Sequence, residues 1–368
     1  MYTVQNIYDF IDNFAPFRNA LSYDNVGLSI GSMGQRVDSV LFALDINSAV
    51  LAEAIEARDS VIICHHPVIW EPLKRIESSS YVCELIKNNI SVIVAHTNLD
   101  IAKDGINCGL VAALNLVNQQ TLKAEINAPY HTVSVFVPLG HLDAVRAAMG
   151  AAGAGVIGNY HSCSFAVEGV GSFVPERQAH PYIGIAGEEV RVPEIKLEMT
   201  CKANALDGVI AEMKKNHPYE EPVFNVFENH AVAESFGLGR YGDLELEVAA
   251  KEFIQMVANN LALSGFRYLL PPARKIRRVA CCGGAGSGLL PRAVEVGADV
   301  FLTGDVKHDA WYSAERYGIG LVDAGHFATE NIGFLQLKKK LELQYPMITC
   351  REAQGNIALE SFFVRRPT

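Results

Sequence analysis

Three stretches decide the fold: SVLFALDI (39–46), SVIICHH (60–66) and SVIVAHT (91–97). Each is a short β-branched run, and helix-like stretches such as SAVLAEAIEARD (48–59) and SSYVCELIKNN (79–89) separate them. Strands alternating with helices imply a mostly parallel sheet with helices packed on its faces. Upstream, Val4, Ile7, Tyr8, Ile11 and Phe14 recur at helical spacing and stop before Pro16, which predicts an opening helix over residues 2–15. Downstream the same grammar returns: RRVACCGG (277–284), a helix near LLPRAVEVG, ADVFLTGD (298–305), a helix at HDAWYSAERYG, IGLVDAGH (319–326), then a long helix to about Gln344.

The middle of the chain has a different texture. Strand-like segments (HTVSVFVPL, SCSFAVEG, IKLEMTCK, EPVFNVF) surround two helical candidates, HLDAVRAAMGAAG and NALDGVIAEMKKNH. That order is the grammar of a small ferredoxin-like α+β sandwich. Neither flanking block has enough strands to close a sheet alone, whereas together they supply about six, so the middle reads as an insertion. The expected organisation is a discontinuous α/β domain over 1–125 and 236–368, split by an inserted α+β domain over 126–235.

Composition narrows the class. The chain has 368 residues, 49% hydrophobic and 20% charged, about two domains' worth and too apolar for disorder. No apolar run approaches the ~18–20 residues of a spanning helix, and MYTVQNIYDFIDNF lacks the basic start and apolar stretch of a signal peptide, so a soluble, cytoplasmic protein without membrane partners is expected. Eight cysteines without a CxxC read as reduced, mostly buried thiols. A net charge of −10, with 31 basic against 41 acidic side chains, argues against a dedicated nucleic-acid reader.

The chemistry gathers at strand ends. His65 and His66 close one strand, His96 and Asp100 follow the next, and His326 closes a third. In an open parallel sheet the carboxyl ends of the strands share one rim, so these side chains converge. Glu330 lies four residues after His326 and shares its helix face. Two divalent ions ~3.5–4 Å apart need a bridging carboxylate plus imidazole and carboxylate ligands on each side. His65, His66, Asp100, His326 and Glu330 meet that requirement, and the adjacent histidines can address one ion each because neighbouring side chains point apart.

Other motifs offer alternatives. CCGGAGSG (281–288) follows a strand and precedes a helix, so Gly284, Gly286 and Ser287 could offer N–H groups and a hydroxyl to an anion; a tight turn is the plainer reading. Gly237-Leu-Gly-Arg-Tyr-Gly242 matches GxGxxG but follows no clean strand, and reads as a turn re-entering the first domain. Asp305, Lys307 and His308 lie on the same rim as orienters, proton carriers or solvated helix-start residues. HPYEEP (217–222) groups a histidine with two glutamates, but its two prolines favour a rigid loop.

Taken together, YDNVGLSIG (23–31), HHP (65–67), AHTNLD (95–100), CGGAGSG (282–288), LTGDVKHDA (302–310) and DAGHFATE (323–330) resemble the Nif-three-like dinuclear metal-binding family, known as GTP cyclohydrolase 1 type 2 homologs. HPYEEP and its surroundings resemble the inserted PII-like or copper-tolerance-like domain of the longer bacterial members. The resemblance implies two divalent metal ions per subunit on the five residues above, with zinc ahead of iron or manganese, and His96 beside the site. It also implies a homohexameric toroid and a metal-dependent hydrolase acting on GTP, another nucleotide or a related anionic heterocycle. The alternative is a non-enzymatic metal-binding regulator or scaffold whose inserted domain senses a ligand or a partner.

Overall fold

The computed structural model describes residues 1–271 and 274–358, without the side chains of 127–129 and 230–235. The chain divides into two compact units, 1–126 together with 236–368, and 127–235. In the first, strands Ser39–Ala43, Val61–Cys64 and Ser91–Val94 run parallel, with Phe42 opposite Ile63 and Ile63 opposite Ile93. Alternate residues feed opposite cores. Val61 and Ile63 join Val4, Ile7 and Ile11 on one face, while Ile62 and Cys64 join Val50, Ala54, Val82 and Leu85 on the other. Covering both faces is why these strands read as continuous apolar runs, and each buried aliphatic side chain contributes about 1.5–3 kcal/mol. The opening helix, Val4–Phe14, buries Val4, Ile7 and Ile11 as its spacing predicts, and Asn6 Oδ1 accepts the Thr3 N–H at 2.9 Å to close its first turn.

The second half of this unit repeats the arrangement with strands Lys275–Cys281, Val300–Thr303 and Gly320–Asp323, again parallel. One sheet shared by the two halves, the expectation above, is not what forms: each half builds its own. Strands that the sequence pattern does not mark complete them. Gly27–Ile30 and Thr349–Glu352 flank the first sheet, while Arg267–Leu269 and the end of Phe224–Ala249 flank the second. The halves are knitted instead by the helix His326–Gln344, which buries Phe334, Leu337 and Leu341 in the core of the N-terminal sheet. It crosses helix Ile106–Ala113 so closely that a Cβ on Gly109 would lie 2.4 Å from Gly333 Cα. Only glycine permits that approach.

The second unit is an antiparallel sheet with two helices. Residues 131–138 pair with Val190–Cys201, which pairs in turn with Phe165–Phe173. Val133, Val135 and Val137 alternate inward against Val145 and Met149 of helix Leu142–Ala151 and Val209 and Met213 of helix Leu206–Asn216. All eight cysteines are free thiols, four of them buried and four partly so. Among the described residues no helix is long and apolar enough to cross a membrane.

Candidate metal centre

The two halves of the first unit bring their strand ends together. His65 and His66 follow strand Val61–Cys64, and both backbone N–H groups donate to the Leu44 carbonyl, which fixes the turn that aims the two rings apart. His96 precedes the short helix Thr97–Ile101 that carries Asp100, and His326 opens the long helix with Glu330 one turn on. The five residues picked out by spacing come within reach of one another. His65 Nε2 lies 3.7 Å from both Asp100 Oδ1 and Glu330 Oε1. Glu330 Oε2 lies 3.2 Å from His66 Nε2 and 3.1 Å from His326 Nε2, and the two imidazole nitrogens are 3.3 Å apart. Ligand atoms of His66, His326 and Glu330 fall within 4.8 Å of one another, and so do those of His65, His66 and His96.

A second set of contacts aims these rings. Nδ1 of His65 faces the Ala95 carbonyl at 2.7 Å, Nδ1 of His66 faces Asp45 at 2.9 Å, Nδ1 of His326 faces Asp305 at 2.7 Å, and Nδ1 of His96 faces Asp24 at 2.9 Å. Carbonyls and carboxylates accept, so Nδ1 carries the proton in each ring, and a neutral ring then directs a bare Nε2 lone pair inward. Outer partners that fix the tautomer in this way are what metal-ligating histidines use. The sequence reading missed Asp24 and Asp45. Both stood in quoted segments, YDNVGLSIG and SVLFALDI, but nothing in their spacing marks them as orienters. Asp305, a candidate above, takes that role; its φ of 51° places it in the left-handed region that aspartate tolerates.

Two atoms facing the middle of the cluster are unsatisfied: His65 Nε2 and Asp100 Oδ1 are buried with no hydrogen-bond partner among the described residues. Buried polar atoms are normally paired. Imidazole nitrogens and carboxylate oxygens converging in this way could hold a metal ion.

Electrostatics carry the same signature. Burial pulls His66 down, but hydrogen bonds to Asp45 and Glu330 and their charges outweigh it and push the ring up to about 10. Its hydrogen bond to Glu330 raises His326 to about 9 against the opposing effect of burial. Burial also opposes the shift at Glu330, yet the facing imidazoles hold it well below the ordinary carboxylate range. Burial pushes Asp100 up. The facing carboxylates thus favour the protonated forms of His66 and His326.

Glycines make room for this packing. A Cβ on Gly284 would lie 2.2 Å from Glu330 Oε1 and 3.2 Å from His326 Nε2, and one on Gly304 would lie 2.7 Å from the His326 backbone nitrogen. The loop 281–288 therefore abuts the candidate metal ligands. Within it the Gly284 N–H donates to Thr329 Oγ1 and the Gly286 N–H to Thr303 Oγ1, at 3.0 and 2.9 Å. Ser287 instead lines a small surface hollow with Lys307. Lys307 and His308 are exposed, His308 with its ring against Tyr312, and no contact ties either to the cluster among the described residues.

Two further motifs resolve as backbone features. Residues 237–242 are not a turn but part of strand Phe224–Ala249, where Gly237 allows the Lys123 carbonyl to within 1.9 Å of where a Cβ would sit. His217 of HPYEEP spends both ring nitrogens on backbone, facing the Phe136 carbonyl at 2.9 Å and accepting the Tyr219 N–H at 3.1 Å. That is a pinned loop.

The family model described as Duf34/NIF3 (NGG1p interacting factor 3) matches residues 2–354. A GTP cyclohydrolase 1 type 2 homolog from Bacillus subtilis is 38% identical over 328 residues, 88% of each chain, and one from Halalkalibacterium halodurans is 36% identical over 342 residues, 92% of each. The crystal structure of a Bacillus cereus protein related to NIF3 superposes with a TM-score of 0.91 at 34% identity, covering 99% of both chains. With a family model spanning nearly its whole length and relatives alike along nearly theirs, the chain belongs to the Duf34/NIF3 family.

Proposed function

We propose that the chain binds two divalent metal ions per subunit on His65, His66, Asp100, His326 and Glu330 and hydrolyses a nucleotide or related heterocycle, as the name shared by its relatives suggests. The observation that carries this reading is the convergence of buried, unpartnered His65 Nε2 and Asp100 Oδ1 on one side of Glu330, with His66 and His326 on the other. Oε1 of Glu330 faces His65 Nε2 and Oε2 faces His66 and His326, so the carboxylate could serve either pair of ligands. Zinc suits this donor set, and iron or manganese would also be accepted. When bound, such ions supply Lewis acidity and lower the pKa of water toward neutrality.

The chain's own residues supply the rest. Asp45, Asp305 and the Ala95 carbonyl hold three imidazoles in the ligating tautomer. His96, oriented by Asp24 and packed edge-on against Trp70 at 5.4 Å, is placed to carry a proton at Nε2. The exposed Trp70, Leu73 and Ile76 are surface that a homohexamer would cover. We also read the inserted unit as ferredoxin-like, because its sheet order, Phe224–Ala249, Val117–Pro138, Val190–Cys201, Phe165–Phe173, is that of a βαββαβ sandwich.

Elemental analysis of protein purified without chelators tests the site. About two ions per chain are expected, and fewer than one in Glu330→Ala. A metal-loaded protein that turns over neither GTP nor related heterocycles across a metal series would sink the hydrolase reading and leave the metal site standing.

A further inference from the structure

A sizeable cavity lies wholly within the inserted unit. It is an open groove of about 860 Å³ bounded by strand Phe165–Phe173, the segment 175–182 and the loop 219–223. That volume is in the range of sites for small organic molecules. Its walls are aromatic: Phe173 and Tyr219 meet at 5.9 Å, Tyr219 and Tyr182 at 6.4 Å, and Phe136 lines the same space.

Its charge is one-sided. Glu168, Glu176, Glu194, Glu220 and Glu221 line the groove against a single base, Lys196, which is itself engaged by Glu198 at 2.6 Å. None of the five glutamates pairs with a lysine or arginine among the described residues. Glu194 is the telling one. It is only 7% exposed, its one hydrogen bond comes from the neutral Tyr219 hydroxyl at 2.7 Å, and Gly171 is the residue that leaves it space, since a Cβ there would lie 2.1 Å from Glu194 Oε2. A buried carboxylate whose one hydrogen bond is to a phenol, with no lysine or arginine paired to it, lacks a full counter-charge. Aromatic faces attract cations through their quadrupole, and a concave wall of one sign focuses the field on what enters.

We propose that this groove binds an organic cation, an amine or quaternary ammonium with an apolar body, its charge set against Glu194 and the rings of Tyr219, Tyr182 and Phe173. The same charge excludes phosphate-bearing ligands from the groove, so the site is separate in chemistry from the metal centre and its proposed substrate.

Titration of the full chain with benzyltrimethylammonium, followed by calorimetry and by tyrosine fluorescence, tests this, with benzylphosphonate as the anionic counterpart. Saturable binding of the cation, none of the phosphonate, and weakening of about tenfold or more in Glu194→Gln are expected. Should Glu194→Gln fail to fold, the double variant Glu168→Gln/Glu221→Gln serves, because both side chains are exposed. No saturable cation binding at millimolar concentration, equal binding of the phosphonate, or affinity unmoved in the variants overturns the proposal. So does self-association through this face, read as a concentration-dependent mass that Val170→Glu abolishes while the cation has no effect.

Discussion

Replacing Gly284 by alanine separates two uses of a glycine that coincide at the metal centre. Gly284 has φ 62°, and the alanine methyl would sit 2.2 Å from Glu330 Oε1. The backbone alone costs about 1–2 kcal/mol for an L-residue in the left-handed region. Gly297 isolates that cost, since its φ is 70° and nothing lies within 4 Å of its Cβ position. Both variants should therefore unfold earlier by a similar increment. Only Gly284→Ala should disturb the site, because Glu330 is 4% exposed and has no open space to swing into. Its carboxylate must retreat by about 1 Å, twice the ~0.5 Å that a preorganised site tolerates. Metal affinity, measured by chelator competition, should fall about 10–100-fold in Gly284→Ala and stay unchanged in Gly297→Ala. Wild-type metal affinity in Gly284→Ala would refute the idea that the loop sets the position of Glu330. Equal loss in both would trace the effect to global destabilisation.

Two other outcomes follow from the site. In metal-free protein His66 and His326 carry pKa values raised to about 10 and about 9, so the stability they contribute is complete below the ordinary histidine value of about 6.5 and is lost as pH rises through 9 and 10. Denaturant midpoints of the apo protein should fall over that window, while ion binding should weaken in acid as protons compete for the same nitrogens; a flat apo profile between pH 7 and 10 would count against the assigned contacts. Asp305→Asn, which removes the carboxylate facing His326 Nδ1, should weaken ion binding about 10–100-fold while leaving stoichiometry at saturating metal unchanged, and wild-type affinity in that variant would show that the contact orients nothing.

Much of the site was legible without coordinates because two rules of backbone geometry act locally. A parallel sheet sends the carboxyl ends of its strands to one rim, which placed His65, His66, Asp100 and His326 together, and the helical repeat set Glu330 beside His326. Three features were not legible for a shared reason. Thr349–Glu352 joins a strand more than 300 residues earlier, Asp45 and Asp24 act on rings 21 and 72 residues away, and the glycines of 281–288 matter through their distance from Glu330. None of these leaves a mark in periodicity or composition.

The amino-acid order by itself determined the alternation of strands and helices, the break in texture around residue 126 and the types of side chain held at the strand ends, because burial and backbone preference are written into every few residues. Tertiary structure alone decided that two sheets form where one was expected, and that the Gly284 and Gly286 N–H groups meet Thr329 and Thr303. It alone brought His66 Nε2 to within 3.3 Å of His326 Nε2 across 260 residues of chain. Those outcomes depend on which surfaces meet when separate segments pack, and sub-ångström clearances between them are set by the whole core rather than by any stretch of it.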